Sequence, residues 1–219
     1  MKRHINLSLL FLLLFSISCS QKKENVNKVP IAQNTGIPFS WEAANIYFLL
    51  TDRFYNGDES NDVNFERNRE TAVLRGFEGG DIKGITQKIN EGYFNDLGIN
   101  AIWMTPVVEQ IHDGTDEGTG YTYGYHGYWT KDWTAIDPNF GTKEDLQALV
   151  RTAHKNGIRI LLDAVINHTG PVTEQDPVWP DSWVRTSPKC AFDSYENTIV
   201  CTLVENLPDI KTESNEAVE

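Results

Sequence analysis

The stretch Ile158-Arg-Ile-Leu-Leu-Asp163-Ala-Val-Ile-Asn-His168 decides the fold of this 219-residue sequence. It begins as a short, mainly apolar run and ends in polar side chains. That pattern is typical of a parallel β-strand that is buried on both faces and leads into a loop. Two similar runs come earlier, at residues 45–50 and 99–104. The sequence therefore predicts three strands of this kind.

Two segments between these runs have helical spacing. In residues 81–97 one side of the predicted helix is apolar, and Gly98 is placed to end it. The apolar side consists of Ile82, Ile85, Ile89, Tyr93 and Leu97. Farther along, Thr142 and Asp145 resemble a capping box, and Gly157 is placed to close the second helix. Alternating strands and helices predict the start of a parallel α/β fold, which could be an open doubly wound sheet or a barrel.

The loop after the third run carries the motif Asp163-Ala-Val-Ile-Asn167-His168, which resembles the first signature region of α-amylases at the end of their third barrel strand. Further segments resemble that family in the same order: Thr51-Asp52-Arg53-Phe54, Gly79-Gly80-Asp81, Tyr125-His126-Gly127-Tyr128-Trp129, Asp132-Trp133, residues 136–142 and Leu207-Pro208-Asp209-Ile210. The sequence is identified as a member of the α-amylase family. Residues 108–112 and 207–214 are most similar to periplasmic α-amylases, and cyclodextrin glucanotransferases come next.

The resemblance implies an α/β fold, the (β/α)8 TIM barrel of the α-amylase type. Residues 37–169 then hold the N-terminal part of the catalytic barrel with its first three strands, and residues 170–219 hold a truncated part of the protruding domain B. We therefore expect an N-terminal fragment of the enzyme.

The resemblance also implies a glucose-binding site. Tyr128 is expected to stack on the sugar in subsite −1, and His126 and His168 to bond its hydroxyls. Trp129 is included as a further aromatic contact. The alternative for Tyr128 and Trp129 is ordinary packing, and for His168 an ordinary loop position. A sugar offers hydroxyls for hydrogen bonds and an apolar ring face for an aromatic platform, which suits these residue types.

Calcium is the second ligand that the resemblance implies. Asn167 and Asp209 match ligands of a structural Ca²⁺, and amide and carboxylate oxygens suit this hard cation. A second group resembles an extra calcium site of cyclodextrin glucanotransferases: Asn56, Asp58, Asn61, Asp62, Gly79 and Asp81. The alternative for the second group is an Asx-rich turn without an ion.

None of the three carboxylates of the family's retaining mechanism is expected in this chain. Gly157-Ile-Arg159-Ile begins like the family's nucleophile motif, but Leu161 stands at the aspartate position. Asp163 matches a supporting residue of the third strand. The expected function is hydrolysis of α-1,4-glucan, starch or maltodextrin, in carbohydrate metabolism, with this chain alone inactive. The alternative is a non-catalytic glucan-binding or remnant lipoprotein.

The N-terminus has the pattern of an export signal. Lys2 and Arg3 precede an apolar run that is too short to span a bilayer, and the ending Phe-Ser-Ile-Ser-Cys19 resembles a bacterial lipobox, with Ser16 where leucine is usual. We expect removal of residues 1–18, lipidation of Cys19, and a polar tether over residues 19–36. The alternative is plain signal-peptidase cleavage. The protein is expected to be exported and lipid-anchored, in the periplasm or at the outer membrane.

The net charge bears on the possible binding partners, and the cysteine content bears on disulfide formation. The formal net charge of −12 repels nucleic acid, whereas an uncharged sugar polymer is compatible with it. In an exported protein, Cys190 and Cys201 favour a disulfide over two free thiols or a metal pair.

Overall fold

The computed structural model describes residues 39–176, 179–203, 206–214 and 217. The predicted signal peptide, the lipidation site Cys19 and the tether of residues 19–36 lie outside the described residues. No described helix is long and apolar enough to cross a membrane.

The described residues contain nine strands and five α-helices. The strands are β1 (Ile46–Leu49), β2 (Ala101–Met104), β3 (Val108–Gln110), β4 (Thr115–Asp116), β5 (Tyr121–Thr122), β6 (Thr130–Ile136), β7 (Arg159–Leu162), β8 (Val184–Arg185) and β9 (Asp209–Ile210). The helices are α1 (Thr51–Phe54), α2 (Ile82–Asn90), α3 (Tyr93–Asp96), α4 (Lys143–Lys155) and α5 (Tyr195–Thr198). Two short 3-10 helices span Trp41–Ala43 and Glu59–Asn61.

The three predicted strands form one parallel sheet in the order β1-β2-β7. Ile46 pairs with Ala101, and Ala101 pairs with Arg159, so the three strands run in register. The predicted strands and their parallel pairing are confirmed, each strand being shorter than its apolar run.

The first predicted helix is broken in two. Helix α2 begins after Asp81, whose side chain accepts a hydrogen bond from the Gly84 N–H, and it ends at Asn90. Gly92 then adopts a left-handed conformation, with φ of 81°, before α3 begins. Glycine takes this conformation without a steric penalty, and the left-handed residue ends the helix. The apolar spacing of the sequence continues past Gly92 even though the helix is interrupted there.

The break also changes which side chains are buried. Ile82, Ile85 and Ile89 lie in the core as predicted, but Tyr93 and Leu97 are exposed. Phe94 takes the buried position in α3.

Helix α4 agrees with its prediction. The Thr142 hydroxyl accepts from the Asp145 N–H, and the Asp145 carboxylate accepts from the Thr142 N–H, which completes the capping box. Gly157 follows the helix with φ of 74°.

The core lies between the sheet and its two longer helices. Ile102 and Met104 of β2 pack with Ile85 of α2 and Leu149 of α4. The opposite sheet face is not buried, because Phe48 is 50% exposed and Trp103 is 41% exposed. In the described residues the strands are thus buried on one face only, as expected for a chain that holds three strands of the predicted barrel and not the elements that would cover the other face.

The connection from β2 to β7 carries an antiparallel pair, β3 with β6, and a second short pair, β4 with β5. After β7 the chain forms the β8–β9 pair and the disulfide between Cys190 and Cys201 that the sequence favours.

Candidate functional site

The candidate site lies where the parallel strands end. Asp163 directly follows β7, and its N–H donates to the Met104 carbonyl at the end of β2, 3.4 Å away. At the end of β1, the Thr51 N–H donates to the Thr105 hydroxyl at 3.1 Å. Ligands of open α/β sheets bind at this edge, outside the carboxyl ends of the strands.

Tyr128 joins this edge from the loop before β6. Its hydroxyl donates to Asp163 Oδ2 at 3.0 Å. Burial, together with the hydrogen bond to the Asp163 carboxylate, raises the pKa of Tyr128 to about 12. Tyr128 is therefore a neutral phenol at physiological pH, and its half-buried ring is held by Asp163.

His126 lies beside Tyr128 and is neutral. Its Nδ1 accepts from the Tyr128 N–H at 3.0 Å, and the two rings are stacked with centroids 5.9 Å apart. Burial, with smaller contributions from nearby positive charges, lowers the pKa of His126 to about 4. Because Nδ1 accepts, the proton lies on Nε2, which leaves an N–H donor on the far side of the ring.

His168 contacts the same tyrosine from the other side. Its Nε2 donates to the Tyr128 carbonyl oxygen at 3.2 Å, so the neutral ring has a free acceptor at Nδ1. That atom is buried without a hydrogen-bond partner among the described residues. Burial lowers the pKa of His168, with the bond to Tyr128 opposing the shift. A buried acceptor without a partner marks a position where a ligand donor would be stabilising.

Trp129 is placed differently from the other three. It is only 5% exposed, its backbone N–H donates to Gln110 Oε1 at 2.7 Å, and its ring and that of His126 are arranged edge to face. Its ring face is used in packing, so the structure favours the packing alternative for Trp129.

Two arginines to which the sequence assigns no role support this loop. The guanidinium of Arg53 lies 4.0 Å from the centre of the Tyr125 ring and pairs with Asp52 at 2.8 Å. Arg67 pairs with Asp137 at 2.8 Å in the core. No local signal in the sequence identifies Arg67, because its partners lie about 40 and 70 positions away, whereas Arg53 belongs to the family-like segment Thr51-Asp52-Arg53-Phe54.

The residues of the second predicted calcium group are close together. Asn56 Nδ2 donates to Asp62 Oδ1 at 2.8 Å, and the Asp81 carboxylate accepts from the Gly57 N–H at 3.1 Å. Asn61 Oδ1 is buried and has no hydrogen-bond partner in the part of the chain that the structure describes. Burial raises the pKa of Asp81, against the hydrogen bonds that it accepts.

Gly79 and Asp58 are the other two residues of this group. A side chain at Gly79 would collide with Asn56 and Asp62, so the backbone approaches both closely. Asp58 points elsewhere, to Ser60 and Lys83. The unpartnered Asn61 oxygen and the buried Asp81 carboxylate fit a hard cation.

The other predicted calcium pair is joined through its backbone. The Ile210 N–H donates to the Asn167 carbonyl at 3.0 Å, and the backbones of His168 and Asp209 form an isolated antiparallel β-bridge. Asp209 is buried, which raises its pKa to about 6 against the charge of Arg185. Within residues 39–176, 179–203 and 206–214, its Oδ2 makes no hydrogen bond, although Arg185 Nη1 is 3.3 Å away. Among the described residues, no three His, Cys, Asp or Glu side chains are arranged to hold a metal, so both sites would depend on amide and carbonyl oxygens as well.

Comparison with known proteins gives the wider context. The model of the alpha-amylase catalytic domain matches residues 48–185. Periplasmic alpha-amylase of Escherichia coli (strain K12) is 48% identical over 147 residues, which are 65% of this chain and 21% of that protein. Cyclomaltodextrin glucanotransferase of Bacillus sp. (strain 1-1) is 33% identical over 194 residues, 88% of this chain and 26% of that protein.

Solved structures give the same assignment. The gamma-CGTase from alkalophilic Bacillus clarkii superposes with a TM-score of 0.70 at 32% identity, over 79% of this chain and 27% of that chain. An Anoxybacillus alpha-amylase superposes with a TM-score of 0.65 at 31% identity, over 82% of this chain and 36% of that chain. The chain thus spans from about a fifth to about a third of the length of these relatives.

These similarities confirm the predicted fold class. Strands β1, β2 and β7 with their connecting helices are part of a (β/α)8 barrel, and Asp163 and the loop of Tyr128 lie at its carboxyl-terminal end, where such barrels bind substrate. Because the catalytic-domain model covers more than half of its residues, this chain belongs to the α-amylase family.

Proposed function

We propose that the protein is a retaining glycoside hydrolase that acts on α-1,4-glucans such as starch and maltodextrin, and that this chain contributes contacts to one glucose ring. One observation carries the proposal. Tyr128 lies between His126, His168 and Asp163 at the end of β7, with the Tyr128 phenol and the unpaired histidine nitrogen both neutral.

The cluster suits an uncharged polyol. The His126 Nε2–H can donate to a hydroxyl oxygen, and His168 Nδ1 can accept from a hydroxyl group. The phenol ring of Tyr128 offers an apolar face against which a sugar ring can stack. Burial lowers the pKa of both histidines, that of His126 to about 4, so both rings are neutral at physiological pH and binding needs no charge on the ligand.

Bond cleavage needs groups that the family pattern does not assign to this chain. A retaining mechanism uses one carboxylate as nucleophile and a second as general acid. Asp163 holds the Tyr128 hydroxyl and is proposed as a positioning residue. We therefore propose that residues 39–214 bind glucan without cleaving it, and the 48% identity to a periplasmic alpha-amylase supports hydrolysis by the intact protein. A non-catalytic glucan-binding lipoprotein is the alternative that the same cluster supports.

Calcium is proposed at two places. Asn61 and Asp81 would hold one ion, with Asn56, Asp62 and the Gly79 backbone around it. Asn167 and Asp209 would hold the other. When bound there, Ca²⁺ would tie the loop after β7 to strand β9 and neutralise the buried Asp209 carboxylate.

Export to the periplasm is proposed from the name of the E. coli relative together with the signal-like N-terminus. Lipidation of Cys19 would then anchor the protein to a membrane. Labelling with a fatty-acid analogue should be lost in Cys19→Ala, and equal labelling of both proteins would exclude the anchor.

The sugar site is tested by binding. Calorimetric titration with maltotetraose should give a Kd at least ~10-fold weaker for Tyr128→Ala and for His168→Ala, which corresponds to about 1.4 kcal/mol. Tyr195→Ala and His154→Ala replace the same residue types at exposed positions and should leave Kd unchanged. A loss that merely follows a lowered melting temperature would restore the packing alternative.

Hydrolysis is tested separately. The chain is expected to release no reducing ends from soluble starch, whereas the protein expressed from the intact gene is expected to do so. Cleavage by the 219-residue chain that Asp163→Asn abolishes would instead place the nucleophile at Asp163.

A further inference from the structure

An aromatic cleft lies outside the Tyr128 cluster, between strand β6 and residues 179–183. It has a volume of about 530 Å³ and is lined by three tryptophans, Trp133, Trp179 and Trp183. This volume falls in the range of small-molecule sites, roughly 300–1,000 Å³. All three tryptophans are half-buried.

Two of the three indoles are fixed by their N–H groups. Trp133 Nε1 donates to the Val165 carbonyl at 2.7 Å, and Trp179 Nε1 donates to the Lys131 carbonyl at 3.0 Å. The rings of Trp133 and Trp183 meet edge to face with centroids 6.1 Å apart. The N–H groups of Trp133 and Trp179 are therefore already bonded to the protein, which leaves the apolar surfaces of these rings for contact with a ligand.

The polar groups in the cleft are mainly acceptors. Asp132 Oδ1 accepts from the N–H and the hydroxyl of Thr134, both at 2.7 Å. Glu109 Oε1 bonds to His112 Nε2 at 2.7 Å. In each carboxylate the second oxygen has no hydrogen-bond partner among the described residues. Two such oxygens are placed to accept from ligand hydroxyls.

The charges of the cleft select against anions. The Lys131 ammonium, which lines the cleft, is neutralised by Asp176 at 2.8 Å, so the carboxylates of Asp132 and Glu109 leave the cleft negative. A neutral ring whose hydroxyls donate to these carboxylates and whose apolar face stacks on an indole fits the cleft. An organic cation is the competing ligand, and choline is its probe.

We propose that this cleft, which shares no lining residue with the Tyr128 cluster, is a second carbohydrate site that binds glucose units of an α-glucan. The ligand class rests on the proposed function, whereas the location rests on the cleft alone. The two sites would hold separate parts of a polymer, and simultaneous binding would raise the apparent affinity for long glucans above that for short ones.

The experiment separates the two sites. The variant Tyr128→Ala/His168→Ala removes contacts at the first site, and maltotetraose binding to the full chain is then measured by calorimetry. The remaining binding should weaken at least ~10-fold when Trp183→Ala is added. Trp41→Ala replaces an exposed tryptophan outside the cleft and should have no effect.

Folding is monitored by thermal unfolding of each variant. If Trp183→Ala unfolds, Trp183→Phe and Asp132→Asn provide milder changes, each expected to weaken binding by ~2- to 5-fold. The proposal is overturned if maltotetraose binding is unaffected by all three changes. It is also overturned if the cleft binds choline and does not bind maltotetraose. Failure of the first site alone, with binding to the cleft retained, would count against the proposed function and leave the cleft intact.

Discussion

Replacing Arg67 by methionine tests whether a buried ion pair holds the loop of the sugar site. The side chains of Arg67 and Asp137 are 1% and 0% exposed, and they join through two hydrogen bonds of 2.9 and 2.8 Å. Arg67 also donates to the carbonyls of Gln110 and Ile111. Methionine keeps much of the volume and removes all of these donors.

The expected loss in the free energy of unfolding comes from the Asp137 charge, which stays buried without its partner. The Asp137 carboxylate would keep the N–H groups of Gln110 and Asn139 as donors, but it would lose its counter-ion. Breaking a buried pair from one side costs about 3–5 kcal/mol, out of about 5–15 kcal/mol for a whole domain. With a urea dependence of about 2 kcal/mol per molar, the unfolding midpoint should fall by about 2 M.

Urea unfolding followed by circular dichroism measures this shift. Arg75→Met is the matched control, because its partner Glu117 and Arg75 itself are 36% and 37% exposed. An exposed pair contributes less than about 1 kcal/mol. The variant Arg67→Met/Asp137→Asn should recover part of the loss, since it leaves no buried charge. Equal midpoints for Arg67→Met and Arg75→Met would refute the reasoning.

Three further predictions concern the disulfide bond, calcium binding and the pH dependence of stability. Replacing Cys190 and Cys201 by serine should lower the free energy of unfolding by about 3 kcal/mol for a closed loop of this size, measured by the same urea titration; an unchanged midpoint would contradict it. Chelation of calcium should lower the melting temperature of the wild type by more than that of Asp81→Asn, which keeps a good N-cap residue but loses the charge, and which retains only the ion proposed at Asn167 and Asp209; equal decreases would contradict an ion at Asp81. Because burial lowers the pKa of His126 to about 4, the unfolded chain binds more protons between pH 6.5 and 4. Stability should therefore fall as pH is lowered through that window, and the fall should be smaller in His126→Gln.

The sequence predicts those parts of the fold that depend on local chemistry. The capping box of Thr142 and Asp145 and the left-handed Gly157 need only residues that are close in sequence, and both are found. The disulfide between Cys190 and Cys201 agrees with the expectation that two cysteines of an exported protein form a disulfide bond. The three strands follow from short apolar runs between turn residues.

The errors arise where the tertiary context decides. The period of residues 81–97 continues through Gly92, so spacing alone does not reveal that the helix breaks there. The apolar runs of β1 and β2 indicate burial on both faces in a complete barrel; with only three strands, Phe48 and Trp103 meet each other on an exposed face, with ring centroids 5.0 Å apart.

The candidate site could be predicted only through family resemblance. Tyr128 lies 35 positions from Asp163 and 40 from His168, so no periodicity brings them together. Resemblance named Tyr128, His126 and His168 and also included Trp129, whose burial it could not reveal. The hydrogen bond from Tyr128 to Asp163 and the unpaired Nδ1 of His168 emerge only from the three-dimensional arrangement.

Strand β6 links the two proposed sugar sites. Tyr128 lies two residues before the strand, and Trp133 lies within it. The strand pairs with β3, where the Gln110 side chain accepts from the Trp129 N–H and the Gln110 N–H donates to Asp137. The Arg67–Asp137 pair therefore anchors one hairpin from which both aromatic surfaces project. Loosening that anchor should weaken glucan binding at both sites together, whereas Tyr128→Ala and Trp183→Ala should each affect one.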